Sequence, residues 1–282
     1  MNIRLMQASD LDFAAECTAR EGWASETRQE FEAFLAYDPG GCFVAEVHER
    51  HVGICIATAY GEFGFVGELI VVEAMRGQRI GRTLLEHAVE YLQTRGARTI
   101  FLDGVLGAIS LYERVGFHRV CRSLRFYGAM QGTSHASVRA LRAKDLDSVA
   151  ALDRGAFGAN RRFFLARRLV SYPELCFALE REGEVAGFIL GRRGHGRVSA
   201  GPLVAGPGVE RPSALLERLA LEISDQEELS IGVLETNTQA VAELHAFGLT
   251  EHPKSPWRMA LGPPGPYGIP AQCYAIGSPA KG

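Results

Sequence analysis

Glu68-Leu69-Ile70-Val71-Val72-Glu73-Ala74-Met75-Arg76-Gly77-Gln78-Arg79-Ile80-Gly81-Arg82-Thr83-Leu84-Leu85 decides the fold. It opens as an apolar run of strand length and closes on helical spacing, with Ile80, Leu84, Leu85, Ala88 and Leu92 on one face. That spacing predicts a long helix over about 80–95, ended by Gly96, which tolerates positive φ. The turn between holds Gly77 and Gly81, which leave the backbone bare for close approach. Arg76, Arg79 and Arg82 surround it with positive charge. A helix N-terminus presents unpaired N–H groups and a partial positive charge, so this corner suits a diphosphate. Taken alone, the same residues also describe a solvated basic turn before a surface helix.

Working outward, the pattern gives a strand at 2–7 and a helix at 10–20 capped by Ser9. A helix follows at 26–36, then strands at 42–48, 52–60 and 65–72. After the long helix come a strand at 98–103, a helix at 107–115 and a strand pair from 117 to 127. This order predicts an α/β (α+β) fold, a mixed sheet with helices on both faces.

The order occurs twice. Ile3-Arg4-Leu5-Met6-Gln7-Ala8-Ser9-Asp10-Leu11-Asp12 resembles Val138-Arg139-Ala140-Leu141-Arg142-Ala143-Lys144-Asp145-Leu146-Asp147 at an offset of 135. Cys42-Phe43-Val44-Ala45-Glu46 matches Cys176-Phe177-Ala178-Leu179-Glu180, and Val52-Gly53-Ile54 matches Ala186-Gly187-Phe188, both at 134. Val115-Gly116-Phe117 matches Phe247-Gly248-Leu249 at 132. Four matches in one order at nearly one offset indicate a duplicated domain. The polar stretch Met130-Gln131-Gly132-Thr133-Ser134 reads as the linker, giving domains over 1–130 and 135–282. From Gly262 the chain is rich in Pro and Gly and reads as an irregular tail. In the second copy the long helix is expected at about 212–224.

The 282 residues, 47% hydrophobic and 22% charged with a net charge of −3, describe an ordinary globular chain with no global attraction to nucleic acid or an anionic membrane. The six cysteines (Cys17, Cys42, Cys55, Cys121, Cys176 and Cys273) form no CxxC pair and no zinc-spaced cluster, so no metal is expected. No apolar run reaches the roughly 20 residues of a membrane span. The charged N-terminus lacks a signal-peptide core, and reduced thiols fit a cytoplasmic protein.

Ala108-Ile109-Ser110-Leu111-Tyr112-Glu113-Arg114-Val115-Gly116-Phe117 is the second informative stretch. With the turn at 76–82 it resembles the GCN5-related N-acetyltransferase (GNAT) superfamily. That family's signature is an Arg/Gln-x-x-Gly-x-Gly/Ala turn, followed at this distance by an Ala-Ile-x-Leu-Tyr-Glu-x-x-Gly-Phe helix. Arg76 and Gly81 match, Arg79 stands where the first glycine is usual, and Glu73 where a proline is usual. The resemblance covers 1–130 well and 135–260 more faintly. It implies two tandem GNAT-like domains, each with a mixed, splayed sheet flanked by helices.

It also implies a site. Acetyl-CoA would lie in a splay between the strands at 66–72 and 98–103. Leu69, Ile70 and Val71 would pair with its pantetheine amides, and Arg76, Gly77, Gln78, Arg79, Ile80, Gly81 and Arg82 would hold its pyrophosphate. Tyr112 would protonate the departing thiolate, a fitting task for a phenol of pKa about 10 against a thiol near 8.5. The alternative for Tyr112 is an amphipathic core residue. A carboxylate would accept the amine's proton, with Asp103 slightly preferred to Glu68. Either carboxylate is equally explained as a capping or solvated strand-end group.

The resemblance thus points to an acyl-CoA-dependent N-acyltransferase acting on a small-molecule amine, of unstated oligomeric state. A non-catalytic acyl-CoA sensor is the alternative. A dinucleotide-binding reading fits less well, because the glycine turn follows a late strand and no ribose-binding acid lies about 20 residues on. The second copy looks degenerate: its turn, Val204 to Ser213, carries Pro207, Pro212 and Glu210, and Leu244 replaces the tyrosine. Its expected work is packing and completing the acceptor pocket. This tandem pattern resembles a bacterial two-domain branch of the superfamily. The basic stretch Arg161–Arg168 reads as an amphipathic surface helix, and His195 and His245 as non-catalytic.

Overall fold

The computed structural model describes residues 1–23, 26–194, 196–265 and 270–282. In chain order the elements are β1 (Asn2–Leu5), α1 (Leu11–Arg20), α2 (Arg28–Tyr37), β2 (Cys42–Val47), β3 (Arg50–Ala59), β4 (Phe63–Val71), α3 (Ile80–Thr94), β5 (Thr99–Gly104) and α4 (Ile109–Val115). Then come β6 (His118–Gly128), β7 (Val138–Ala140), α5 (Leu146–Phe157), α6 (Arg162–Ser171), β8 (Cys176–Arg181), β9 (Glu184–Gly194) and β10 (Arg197–Ala205). The chain continues through α7 (Ser213–Ala220), β11 (Glu228–Leu234), α8 (Thr238–Ala246), β12 (Thr250–Glu251), β13 (Trp257–Leu261) and β14 (Cys273–Ala275). The strand pair expected over 117–127 is the single strand β6.

The chain forms two compact units. One comprises Met1–Val120, Arg258–Gly265 and Pro279–Lys281; the other comprises Cys121–Trp257, the described residues of 266–278, and Gly282. In the first, the strands run β1-β2-β3-β4-β5-β13. The first four are antiparallel neighbours, while β4 and β5 are parallel and need a crossover, which α3 supplies. α3 buries Ile80, Leu84, Leu85, Ala88, Val89 and Leu92. Two glycines make room for it: a Cβ on Gly64 would lie 2.7 Å from Leu92, and one on Gly53 3.1 Å from Leu84. Each buried leucine contributes about 2 kcal/mol of apolar transfer, so the face picked out by periodicity is the one that holds the helix to the sheet.

The second unit repeats the plan as β6-β11-β10-β9-β8-β7, with β10 and β11 parallel across α7. α7 is shorter than the expected 212–224. After Ala220 the amides of Leu221, Glu222 and Ile223 bond to Arg218, Leu219 and Ala220, a tightened i to i−3 pattern that ends the α-helix.

One polar network occurs in both units. Arg4 donates to both oxygens of Asp10 (2.6 and 2.9 Å) and to Glu46 (2.8 Å), while the amide of Gln7 caps Asp10 at 2.7 Å. Arg139 donates to both oxygens of Asp145 (2.7 and 3.1 Å) and to Glu180 (2.7 Å), and the amide of Arg142 caps Asp145 at 2.8 Å. In each, a fork-shaped guanidinium ties the first strand to the first helix and the second strand.

The units do not divide at the expected linker, 130–134. β6, which the repeat places in the first copy, pairs with β11 of the second unit. β13, which the repeat places in the second copy, neighbours β5, and all of it but Trp257 belongs to the first unit. Packing explains the first exchange: Leu124 and Phe126 of β6 belong to the second unit's apolar core.

Candidate functional site

β4 and β5 pair only at Phe63–Thr99, Gly64–Ile100 and Phe65–Phe101. Past Phe65 the strands part. On its other side β4 shifts register against β3, with Gly67 opposite Ile56 and Ile70 opposite Ile54, so Glu68 and Leu69 face one residue. That is a β-bulge, and Glu68 takes φ +49° within it. The bulge bends β4 away from β5. Among the described residues no strand pairs with the β5-facing edge beyond Phe65. Leu69, Ile70 and Val71 lie along this splay with no strand among the described residues paired on that side, and the Val71 carbonyl there accepts from Arg76 Nε at 2.9 Å.

The chain then turns through Glu73–Met75 into α3. Arg79 precedes the helix at φ +64°, ψ 4°, the left-handed region. That is the conformation a glycine adopts most readily, and it accounts for glycine being usual at this position. Among the described residues no backbone carbonyl accepts from the amides of Gly77 through Arg82. These six donors face outward at a helix N-terminus, the arrangement that binds a diphosphate. The side chains divide. Arg76 donates to the Val71 carbonyl (2.9 Å) and pairs with Glu21, and Arg82 pairs with Glu86 at 2.8 Å. Arg79 is exposed, Gln78 rests near Met75 Sδ at 3.8 Å, and Ile80 is buried.

Tyr112 sits on α4, 7% exposed, with its ring over Gly104 at the end of β5. Burial, with a smaller contribution from Cys55, raises its phenol well above the usual 10, so it stays protonated at neutral pH. Glu68 is buried, and Cys55 lies within electrostatic reach of both Glu68 and Tyr112. Asp103 is placed otherwise. Its side chain is 1% exposed and accepts from Arg258 Nε at 2.5 Å. This carboxylate points to the opposite face of β5 from Gly104 and Tyr112. Asp103 is thus engaged by Arg258, while Glu68 lies on the bulge near Cys55.

Arg258 is the residue that sequence reasoning missed. It lies 155 positions from Asp103 in sequence. The one signal was an arginine inside the apolar strand Trp257-Arg258-Met259-Ala260-Leu261.

In the second unit the corresponding gap is filled. β10 pairs with β11 from Arg197 to Ala200, and then at Leu203 and Val204 with β14 instead. The Ile276 amide donates to the Gly232 carbonyl of β11 at 2.9 Å, and Asn237 Nδ2 donates to the Cys273 carbonyl at 3.2 Å. Residues 273–276 thus take the place of an extended ligand. Leu244, in the tyrosine position, is an apolar core residue. In α6, Phe164, Leu165, Arg168 and Leu169 are buried, and Arg161, just before it, is buried against Asp153 at 2.8 Å, so two arginines of the expected surface stretch Arg161–Arg168 are not solvated. His245 packs edge-on to Phe126 at 5.0 Å; His195 lies outside the described residues. Among the described residues no cluster of His, Cys, Asp or Glu could hold a metal ion, and no helix is long and apolar enough to cross a membrane.

Comparison with known proteins matches residues 8–117 to the acetyltransferase (GNAT) family and residues 149–275 to an acetyltransferase (GNAT) domain. N-alpha-acetyltransferase 30 of Dictyostelium discoideum is 31% identical over 104 residues, 34% of this chain and 56% of that protein, so the match spans just over half of its length. The uncharacterised N-acetyltransferase YitH of Bacillus subtilis is 24% identical over 205 residues, 71% of each chain. A solved Pyrococcus horikoshii protein assigned as an acetyltransferase superposes with a TM-score of 0.82 at 24% identity, covering 100% of this chain and 95% of that one, which is a likeness of fold.

Proposed function

We propose that this chain, which belongs to the acetyltransferase (GNAT) family and carries two GNAT domains, moves an acetyl group from acetyl-CoA to a primary amine at the splayed gap of its first unit. One observation carries the reading. β4 and β5 part beyond Phe65 with no strand paired between them among the described residues, and the splay leads to six unpartnered amides at the start of α3, whereas the equivalent gap in the second unit is filled by β14. Acetyl-CoA is a substrate here, and a small-molecule amine is the acceptor.

The amine must attack as a neutral nucleophile. Its nitrogen forms a bond to the thioester carbonyl carbon, and the carbon–sulfur bond then breaks. Backbone N–H groups beside the bulge polarise the carbonyl oxygen. Glu68 takes the amine's proton, directly or through water, and Tyr112 gives its proton to the departing thiolate. Burial of Tyr112 suits this role, because a phenol protonated throughout the neutral range is always ready to donate. Asp103 serves instead to hold Arg258.

The test is thiol release from acetyl-CoA against a panel of primary amines, alongside calorimetric titration of acetyl-CoA. Association with turnover on at least one amine is expected. Association and thermal stabilisation without turnover on any amine would favour an acyl-CoA sensor. No association at all would end both readings.

A further inference from the structure

Resting on that reading of the gap, we infer that Arg258 is an anion-binding subsite for the acceptor, and that the amines acetylated here carry a carboxylate. Arg258 is 8% exposed. Its Nε is spent on Asp103 at 2.5 Å, and its guanidinium carbon lies 5.1 Å over the ring of Phe65. Its Nη2 is enclosed and has no hydrogen-bond partner among the described residues. An enclosed guanidinium N–H without an acceptor is costly, which is why buried polar groups are nearly always paired. A donor left open in this way marks a place where a ligand completes the bonding.

The position fits an acceptor. Phe65 and Phe101 are the last paired residues of β4 and β5, their rings 5.6 Å apart. Arg258 stacks on the first and bonds two residues beyond the second, so it stands where the strands begin to part. Strand alternation sets the face: Asp103 and Arg258 share one side, while Gly104 and Met259 share the other with Tyr112. Tyr112, which serves the leaving sulfur, and Arg258 therefore approach the gap from opposite faces. On the face opposite the tyrosine an amine meets Arg258 beside Ala280, which lies against Gly67.

The chemistry selects the ligand. A guanidinium presents donors along two edges, and Asp103 uses one of them. The remaining N–H matches a carboxylate oxygen. The pair Arg258–Asp103 is neutral overall, so the unmatched Nη2 donor rather than net charge is what selects a carboxylate. A polyamine or aminoglycoside, cationic throughout, would bring charge and no acceptor for Nη2.

The experiment is calorimetric titration of the full chain, saturated with CoA, with N-acetylated α-amino acids and with the matching N-acetylated alkylamines that lack the carboxylate. Wild type and Arg258→Lys are compared; lysine keeps a cation beside Asp103 and removes the second donor edge. In wild type the carboxylates should bind about ten-fold tighter or better, as a charge-assisted hydrogen bond provides. In Arg258→Lys that advantage should shrink to about three-fold or less. Equal binding of the two classes by wild type, equal weakening of both in Arg258→Lys, or no binding of either class would overturn the inference. The wild-type comparison needs no variant to fold. Product binding is read without turnover, so a lack of acetyl transfer would sink the proposed reaction while leaving this result to stand or fall on its own.

Discussion

A Cβ placed on Gly104 would stand 3.0 Å from two ring carbons of Tyr112, so the end of β5 seats this ring with no space for a methyl group. The hydroxyl's position thus depends on a glycine eight residues earlier. Tyr112→Phe should lower kcat about 10²–10³-fold, the usual worth of a placed general acid, with little change in the KM for acetyl-CoA. Gly104→Ala should lose part of that rate with the hydroxyl still present. Steady-state thiol release reads both. A Tyr112→Phe enzyme as fast as wild type would place the proton donor elsewhere.

The pH profile follows from burial. A general acid works while protonated, and burial holds the Tyr112 phenol above its ordinary 10. Raising the pH from 7 to 10 should therefore cause no fall in kcat through this group. The comparison is kcat between pH 7 and 10 for wild type and Tyr112→Phe. A descending limb within that range, present in wild type and lost in the variant, would contradict the burial argument.

Arg79 separates strain from recognition. Its φ of +64° costs a non-glycine residue about 1–2 kcal/mol. Arg79→Gly relieves that strain but loosens the unfolded chain by about 0.4–1 kcal/mol, so the net change in unfolding free energy should be small. Acetyl-CoA affinity should still fall about five-fold at low ionic strength and less at high salt, because an exposed arginine at this turn acts through screened charge. Denaturant unfolding and titration at two salt concentrations check the pair. Unchanged affinity at low salt would leave the pyrophosphate to the backbone alone.

The sequence carried the parts of this fold that depend on local pattern. The spacing of Ile80, Leu84, Leu85, Ala88 and Leu92 located α3, and the Arg4–Asp10 and Arg139–Asp145 matches located the two copies. What escaped depends on topology. β6 and β13 have the apolar alternation of any sheet strand, and nothing in it says which unit they complete. The bulge at Glu68 forms without the glycine that would have announced a positive φ. Arg258 and Asp103 meet only because β13 neighbours β5, so the contact that engages Asp103 was not legible in the sequence.

The duplicated network makes a pH prediction with a definite sign. Hydrogen bonds from Arg4, then the Gln7 amide and the nearby charges, hold the Asp10 carboxyl below its usual 3.8 despite burial, and Arg139 does the same for Asp145. A depressed folded pKa gives stability that is present above the unfolded value and is lost as pH falls through the folded one. Asp10→Asn should therefore cost about 3 kcal/mol at pH 6, the low end for a broken buried pair, and progressively less toward pH 2. Urea unfolding at several pH values, repeated for Asp145→Asn, decides it. A penalty independent of pH would mean that shape, not charge, is what Asp10 supplies.

β14 predicts the stoichiometry of cofactor binding. In the second unit, residues 273–276 hydrogen-bond to β10 and β11 where an extended ligand would add itself. A Cβ on Gly201 would lie 2.1 Å from the Ile276 carbonyl oxygen, so the segment is seated against bare backbone. An intramolecular strand meets its site at high effective concentration, and a free ligand must compete with it. The turn ahead of α7 also lacks the amide donors that Pro207 and Pro212 remove. One acetyl-CoA per chain should bind in calorimetric titration, and Arg79→Gly should weaken that single event. Restoring the tyrosine in the second copy, Leu244→Tyr, should add no second site, because the missing side chain is not what closes the gap. Two equivalents bound by wild type would show that β14 yields to the ligand, and the division of labour between the copies would then have to rest on the tyrosine alone.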